Sequence, residues 1–209
     1  MGSKRRIGTE RSETRAALLD AAERLMLSEG YAAATSRRVA EVAGVRPGLV
    51  HYYFRTMDDL FIALLRRRGQ QGLERQARAL ASTQPLWALW ELVRDEPNTA
   101  MTMELVALAN HRKALRAEIA AHARRLRRKQ IVALAGRLAQ YGLGRRRSAA
   151  LTAMVLMSSI SRFLVMERAL GVSTGHAETV ALVERYLTRF EGRRRKPRRS
   201  RASARGRKR

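Results

Sequence analysis

The chain has 209 residues, 45% of them hydrophobic, which is enough for one or two compact domains with a sizeable core. It contains no cysteine, which excludes disulfides, thiol catalysis and thiolate metal sites. Its formal net charge of +25 exceeds what solubility requires and points to a polyanionic partner, either nucleic acid or an anionic membrane surface.

The first segment, 1–11, is charged and has no apolar run behind it. It reads as a disordered basic arm and not as a signal peptide. Ser12 is placed to cap a first helix whose apolar face is Leu18, Ala21, Ala22, Leu25 and Met26, at helical spacing. Gly30 ends that helix. Thr35 caps a short second helix carrying Val39, Val42 and Ala43, which stops at Gly44. Pro47 is suited to open a third helix, Leu49 to Phe54. Thr56, with Asp58 and Asp59 in the first turn, caps a long fourth helix from Met57 to about Ala81.

A second group of helices follows. Pro85 opens Leu86 to Arg94, with Trp87 and Trp90 on one face. Pro97 and Asn98 start Thr99 to about Asn110. A long helix covers Lys113 to Gln140 and is broken by Gly142 and Gly144. Ser148 to Leu170 is strongly apolar, and Thr174 to Glu191 is the last helix. Neither alternating β-branched runs nor hairpin turns occur, so the fold class is all-α. The longest apolar stretch, Ala149 to Ile160, is too short to span a bilayer, and the expectation is a soluble cytoplasmic protein.

Charge is unevenly spread. Residues 192–209 hold 11 Lys/Arg and no acid, whereas residues 1–65 hold 10 Lys/Arg against 8 Asp/Glu. The tail is therefore expected to be a disordered Arg/Lys-rich extension. Nucleic-acid binding by the N-terminal part would rely on placed contacts more than on bulk charge.

Those contacts centre on "GVRPGLVHYYF", Gly44 to Phe54. Helix, glycine turn and short helix is the spacing of a helix-turn-helix. Val39, Ala43, Val45, Val50 and Phe54 would fix the crossing angle, and Gly44 permits a left-handed turn. Phe54 and Tyr53 are expected to pack inward, with His51 and Tyr52 turned out. Arg37, Arg46, Gly48 and Leu49 share the exposed side, where hydroxyl, imidazole and guanidinium groups can bond phosphates or base edges.

The segment "TSRRVAEVAGVRPGLVHYYFRTMDDLF" resembles the DNA-binding domain of TetR-type (tetracycline-repressor-like) transcriptional regulators. The resemblance runs from about Ser12 to Leu65. It rests on Thr35, Val39-Ala40, Ala43-Gly44-Val45, Gly48, the aromatic cluster ending at Phe54, and Asp58 to Leu60. It implies a helix-turn-helix domain over 12–60 and a helical ligand-binding and dimerisation domain over 61–191. The expected DNA contacts are Thr35, Ser36, Arg37, Arg46, Pro47, Gly48, Leu49, His51, Tyr52 and Thr56. Met57 stands where the family often has a phosphate-binding Lys, and Leu49 and His51 also depart from common family residues. Phosphate anchoring is therefore expected to shift to Arg46, Tyr52, Thr56 and to Lys4, Arg5 and Arg6 of the arm.

The resemblance further implies a double-stranded DNA operator, a small-molecule effector, and a homodimer formed through 148–170 and 174–191. Candidate pocket residues are Trp87, Trp90, Met101, Met103, Leu105, Leu108, Phe163 and Met166; as apolar residues at helical spacing, most of them read equally as core. His111, Glu118 and His122 share a helical face, but a solvated charged face is favoured over a metal site. The run Arg124, Arg125, Arg127, Arg128 and Lys129 reads as exposed helix surface, with attraction of an anionic effector as the less common alternative. No nucleophile–base pair, phosphate loop or metal set is evident, so neither enzyme activity nor a cofactor is expected. The rival reading is an architectural nucleic-acid binder dominated by the basic tail.

Overall fold

The computed structural model describes residues 12–142 and 147–195, and all regular structure among them is helical. The helices are α1 (Glu13–Glu29), α2 (Ser36–Val42), α3 (Gly48–Tyr53), α4 (Met57–Leu80), α5 (Pro85–Val93), α6 (Glu96–His111), α7 (Lys113–Gln140), α8 (Arg147–Ala169) and α9 (His176–Glu191). A 3-10 turn, Tyr31–Ala33, follows α1 and has no counterpart in the sequence reading. Other boundaries fall within a residue or two of expectation, as fraying helix ends allow, except that α6 starts at Glu96, three residues before Thr99. The basic arm 1–11, with Lys4, Arg5 and Arg6, lies outside the described residues, as does the tail beyond Arg195.

Local chemistry explains the short elements. Thr35 Oγ1 accepts the Arg38 N–H at 3.3 Å and caps α2. Gly44 takes φ +68, and the Val45 N–H reaches back to Ala40 O while the Gly44 N–H reaches Glu41 O, both at 3.0 Å. This paired closure satisfies the last carbonyls of α2 and turns the chain sharply into α3. Pro47 precedes α3 as its N-cap and does not open it. Thr56 and Asp59 form a full capping box at the start of α4. Ser12 occupies the N-cap of α1, but its side chain does not cap; its hydroxyl bonds the Tyr53 hydroxyl at 2.8 Å.

Two apolar cores result. The first joins Leu18, Leu25, Val39, Val50, Phe54, Leu60, Phe61 and Leu64 to Met101, Leu105, Leu108 and Leu115. The N-terminal head therefore shares its core with α6 and the start of α7, and packing does not part at residue 60. The second core gathers Leu80, Leu86, Trp87, Trp90, Leu134, Leu138 and Leu187.

Glu191 locks the second core. Its carboxylate accepts the N–H groups of Leu86 at 2.9 Å and Trp87 at 3.1 Å, at the otherwise unsatisfied N-terminus of α5. The start of the tail departs from its expected disorder for the same reason. Trp87 Nε1 donates to Gly192 O at 3.1 Å, and Gln84 bonds Arg193 O at 2.9 Å and the Arg195 N–H at 2.7 Å. Residues 192–195 are thus pinned along α5.

Candidate functional site: a recognition helix and a cavity

Most of the expected DNA contacts reach the surface of the head. Thr35, Arg37, Arg46, Pro47, Gly48, His51, Tyr52 and Thr56 are exposed, while Ser36 and Leu49 are half-buried. Tyr52 is 42% exposed, whereas Phe54 is only 3% exposed and sits in the core. Tyr53 lies between them, its ring meeting Tyr52 edge-on with centroids 5.1 Å apart. Its bond to Ser12 ties α3 to the start of α1. Three consecutive rings therefore face outward, sideways and inward: Tyr52 and Tyr53 stand one helical step of about 100° apart, and Phe54, in extended backbone at the C-cap, turns into the core.

The cations on this side differ in availability. Arg38 is committed to Glu29 at 2.8 Å and Glu41 at 3.3 Å, and these carboxylates raise its pKa. Arg37, Arg46 and Arg55 form no ion pair among the described residues. Arg55 is an exposed cation between α3 and α4 that the sequence reading left out; its only signal was its place between Phe54 and the Thr56 cap. Thr56 differs the other way. Its N–H and hydroxyl are both engaged with Asp59 at 3.0 Å, so it is already spent on the cap.

Behind the head, α4, α5, α6, α7 and α8 enclose a cavity of about 370 Å³. Of the sequence-predicted pocket residues, Leu105 lines it. Trp87, Trp90, Met101 and Leu108 are buried core, Met103 is half-buried, and Phe163 and Met166 are exposed on α8 at 54% and 41%. Those residues do not come together. The walls are instead Leu65, Leu89, Leu92, Val93, Ile119, Leu126, Met154 and Met157, with Asn98, Gln76, Arg68, Arg75, Arg127, Arg162 and His122. Helical spacing cannot single these out, because a cavity is defined by where five helices fail to close.

His111, Glu118 and His122 do not converge either. His111 stacks on Tyr31, with ring centroids 6.0 Å apart. Glu118 pairs with Arg66 at 2.6 Å, and that hydrogen bond lowers its pKa. His122 is not on a solvated face: it lines the cavity with Nε2 buried against Gly69, and burial, followed by the nearby Arg125 and Arg66, lowers its pKa. No group of three His, Cys, Asp or Glu among the described residues could hold a metal ion.

Head and cavity are joined by polar contacts. Asn98 Oδ1, on the cavity wall, accepts from Arg68 at 2.9 Å and Arg75 at 3.0 Å. Arg68 also pairs closely with Glu23 of α1, which is held in addition by Arg67 at 2.9 Å. Glu104 of α6 accepts the Tyr31 N–H at 2.6 Å, and Arg112 pairs with Asp58 at the start of α4.

An exposed short helix, α3, braced by the buried Val39–Ala40 face of α2, ahead of a helical body with an internal cavity, defines a helix-turn-helix protein with a separate ligand-sized chamber. Residues 18–64 match the family of bacterial regulatory proteins, tetR family. Over 52 residues the chain is 44% identical to the HTH-type transcriptional regulator BetI of Rhizobium meliloti, covering 25% of this chain and 26% of that protein. Over 61 residues it is 41% identical to the HTH-type transcriptional regulator TtgR of Pseudomonas putida, covering 29% of each. The matched segment thus spans little more than a quarter of these relatives. The fold likeness extends further: a Rhodococcus sp. protein assigned to the TetR family of transcriptional regulators superposes with a TM-score of 0.62 at 22% identity, covering 86% of this chain and all of that one. Residues 18–64 are thus similar to the DNA-binding domain of the tetR family, and the chain as a whole shares the all-α fold of the Rhodococcus protein.

Proposed function

We propose that the protein is a transcriptional repressor that binds a palindromic DNA operator as a homodimer and leaves it when a small molecule fills the cavity. The observation that carries this reading is the head itself. A rigid, buried scaffold presents Arg37, Arg46, His51 and Tyr52 on one exposed side, with both arginines free of ion pairs among the described residues. Such a surface suits base edges and phosphates more than nonspecific charge. An architectural binder driven by the tail would not need it, and an enzyme would need a reactive constellation that this family's regulators do not use.

Dimerisation is supported by α8 and α9. Met154, Met157 and Ile160 pack on the second core, whereas Leu151, Val155, Leu156, Phe163 and Met166 of α8 remain exposed with Leu182 and Tyr186 of α9. Two such faces from two chains make a four-helix interface. In that dimer each recognition helix enters one major groove, about 34 to 36 Å from its twin or a multiple of it. A ligand that prefers one packing of α4 against α6 acts on that spacing through Arg68, Asn98 and Glu23.

The test is selection of binding sites from random duplexes, followed by affinity on the selected site and a scrambled one at equal salt, with sedimentation of the free protein. Palindromic sites bound roughly a thousandfold or more above scrambled DNA by a dimer are expected. A ratio near one, or a monomer at micromolar concentration, would overturn the reading.

A further inference from the structure

The cavity's charge is one-sided. Among the described residues, four guanidinium groups line it, from Arg68, Arg75, Arg127 and Arg162, and no carboxylate does. Arg68 is matched by Glu23, and Arg75 is loosely matched by Asp95 at 3.8 Å. Arg127 and Arg162 have no ion pair among the described residues, and both are exposed, so the unmatched charge lies where the cavity meets solvent. The remaining wall is mostly apolar, from Leu89, Leu105, Ile119, Leu126 and Met154. Arg75 Nε is buried there without a partner.

Such a chamber discriminates by charge. A cationic ligand would meet like charge at the mouth, and a neutral one would cover guanidinium groups without pairing them. A carboxylate can take two parallel N–H bonds from a guanidinium while its apolar body fills the chamber. We propose that the cavity takes an amphipathic organic anion, an acid group on an apolar body, with the acid at the Arg127–Arg162 side. This rests on the reading of the cavity as the effector site and names the chemical class of that effector.

The test uses the full chain and three probes of one chain length: decanoate, decanol and decyltrimethylammonium, all below their micellar concentrations. Because a chain of charge +25 attracts anions everywhere, two variants locate the binding. Gly72 lines the cavity, and a Cβ there meets nothing within 4 Å, so Gly72→Phe places a ring inside the chamber from a helix position that tolerates a side chain. The double variant Arg127→Gln/Arg162→Gln removes the unmatched charge from exposed sites.

Calorimetric titration should show decanoate binding more tightly than decanol, and decyltrimethylammonium weakest. Gly72→Phe should weaken binding of all three by at least about tenfold. The double arginine variant should weaken decanoate about tenfold and leave decanol unchanged. Equal or tighter binding of the alcohol or the ammonium would overturn the inference and leave the cavity as a ligand site. Decanoate binding left unchanged by Gly72→Phe would also overturn it, as surface attraction only. If none of the three binds, the cavity is not an effector site for such molecules and both readings of it fall.

Discussion

Three adjacent rings in and just after α3 should fail in three separate ways when altered. Phe54 is 3% exposed and packs with Val39, Val50 and Leu60, so Phe54→Ala leaves a cavity and should cost about 3 to 5 kcal/mol of stability. Tyr53→Phe keeps the ring and removes one hydrogen bond, the 2.8 Å contact with Ser12, at about 0.5 to 1.5 kcal/mol. Tyr52 is 42% exposed and meets Tyr53 edge-on, so Tyr52→Ala should cost about 0.5 to 1.5 kcal/mol, well short of Phe54→Ala. The order reverses at DNA. Tyr52→Ala should cost about 1 to 3 kcal/mol on the selected operator with little change on scrambled duplex, the signature of a lost base contact. Urea unfolding with unchanged slope measures the first set, and fluorescence anisotropy on the two duplexes measures the second. A Tyr52→Ala variant that loses stability as Phe54→Ala does, or keeps full operator preference, would show that α3 presents a different side from the one assigned.

Gly44→Ala tests backbone geometry alone: φ is +68 and an added Cβ meets nothing within 4 Å, so the loss should be about 1 to 2 kcal/mol, read by urea unfolding. Gly69→Ala tests contact, because its Cβ would stand 2.1 Å from His122 Nε2. It should destabilise by about 1 to 3 kcal/mol, and the added change His122→Ala should recover most of the loss in a double-mutant cycle. His122 also sets a pH dependence. Its native pKa lies below the ordinary 6.5, chiefly through burial, so below about 6.5 the unfolded chain takes up a proton that the native one resists. Its contribution is complete above 6.5, is lost as pH falls from there through the lower native value, and then levels off; thermal unfolding of His122→Gln across that range should be flatter than that of the unaltered protein.

Caps and periodicity carried the fold because they are local. Thr35, Thr56 with Asp59, Gly30 and Gly44 each act within four residues, and each sits where sequence spacing placed it. The exposed side of α3 was legible for the same reason. Once α3 is a helix after a fixed turn, the directions of His51 and Tyr52 follow from about 100° steps, and Phe54 leaves the helix as its C-cap. Ser12 shows the limit: its position was correct, but its hydroxyl was taken by Tyr53, forty-one residues away. The docking of α6 onto the head was equally hidden, because Met101, Leu105 and Leu108 look the same in sequence whichever core they join.

The cavity was illegible for a sharper reason. Its size depends on residues that sequence reading treats as defects. Gly69 and Gly72 stand three apart in α4, where glycine weakens a helix by about 1 kcal/mol against alanine. Both line the chamber, yet they act oppositely. At Gly69 the missing side chain is occupied space, because His122 packs into it. At Gly72 the missing side chain is open space, and the chamber keeps it. The aromatic and methionine residues that drew attention as pocket candidates did so by being large and apolar, which suits them to filling gaps. Trp90 and Met101 accordingly are fully buried, while Phe163 and Met166 face outward on α8. A cavity is lined by what remains when the best space-fillers have been used in the cores. The Asn98, Arg68 and Arg75 wall fits that logic, since polar groups there bond one another and Glu23 instead of closing the gap with apolar volume.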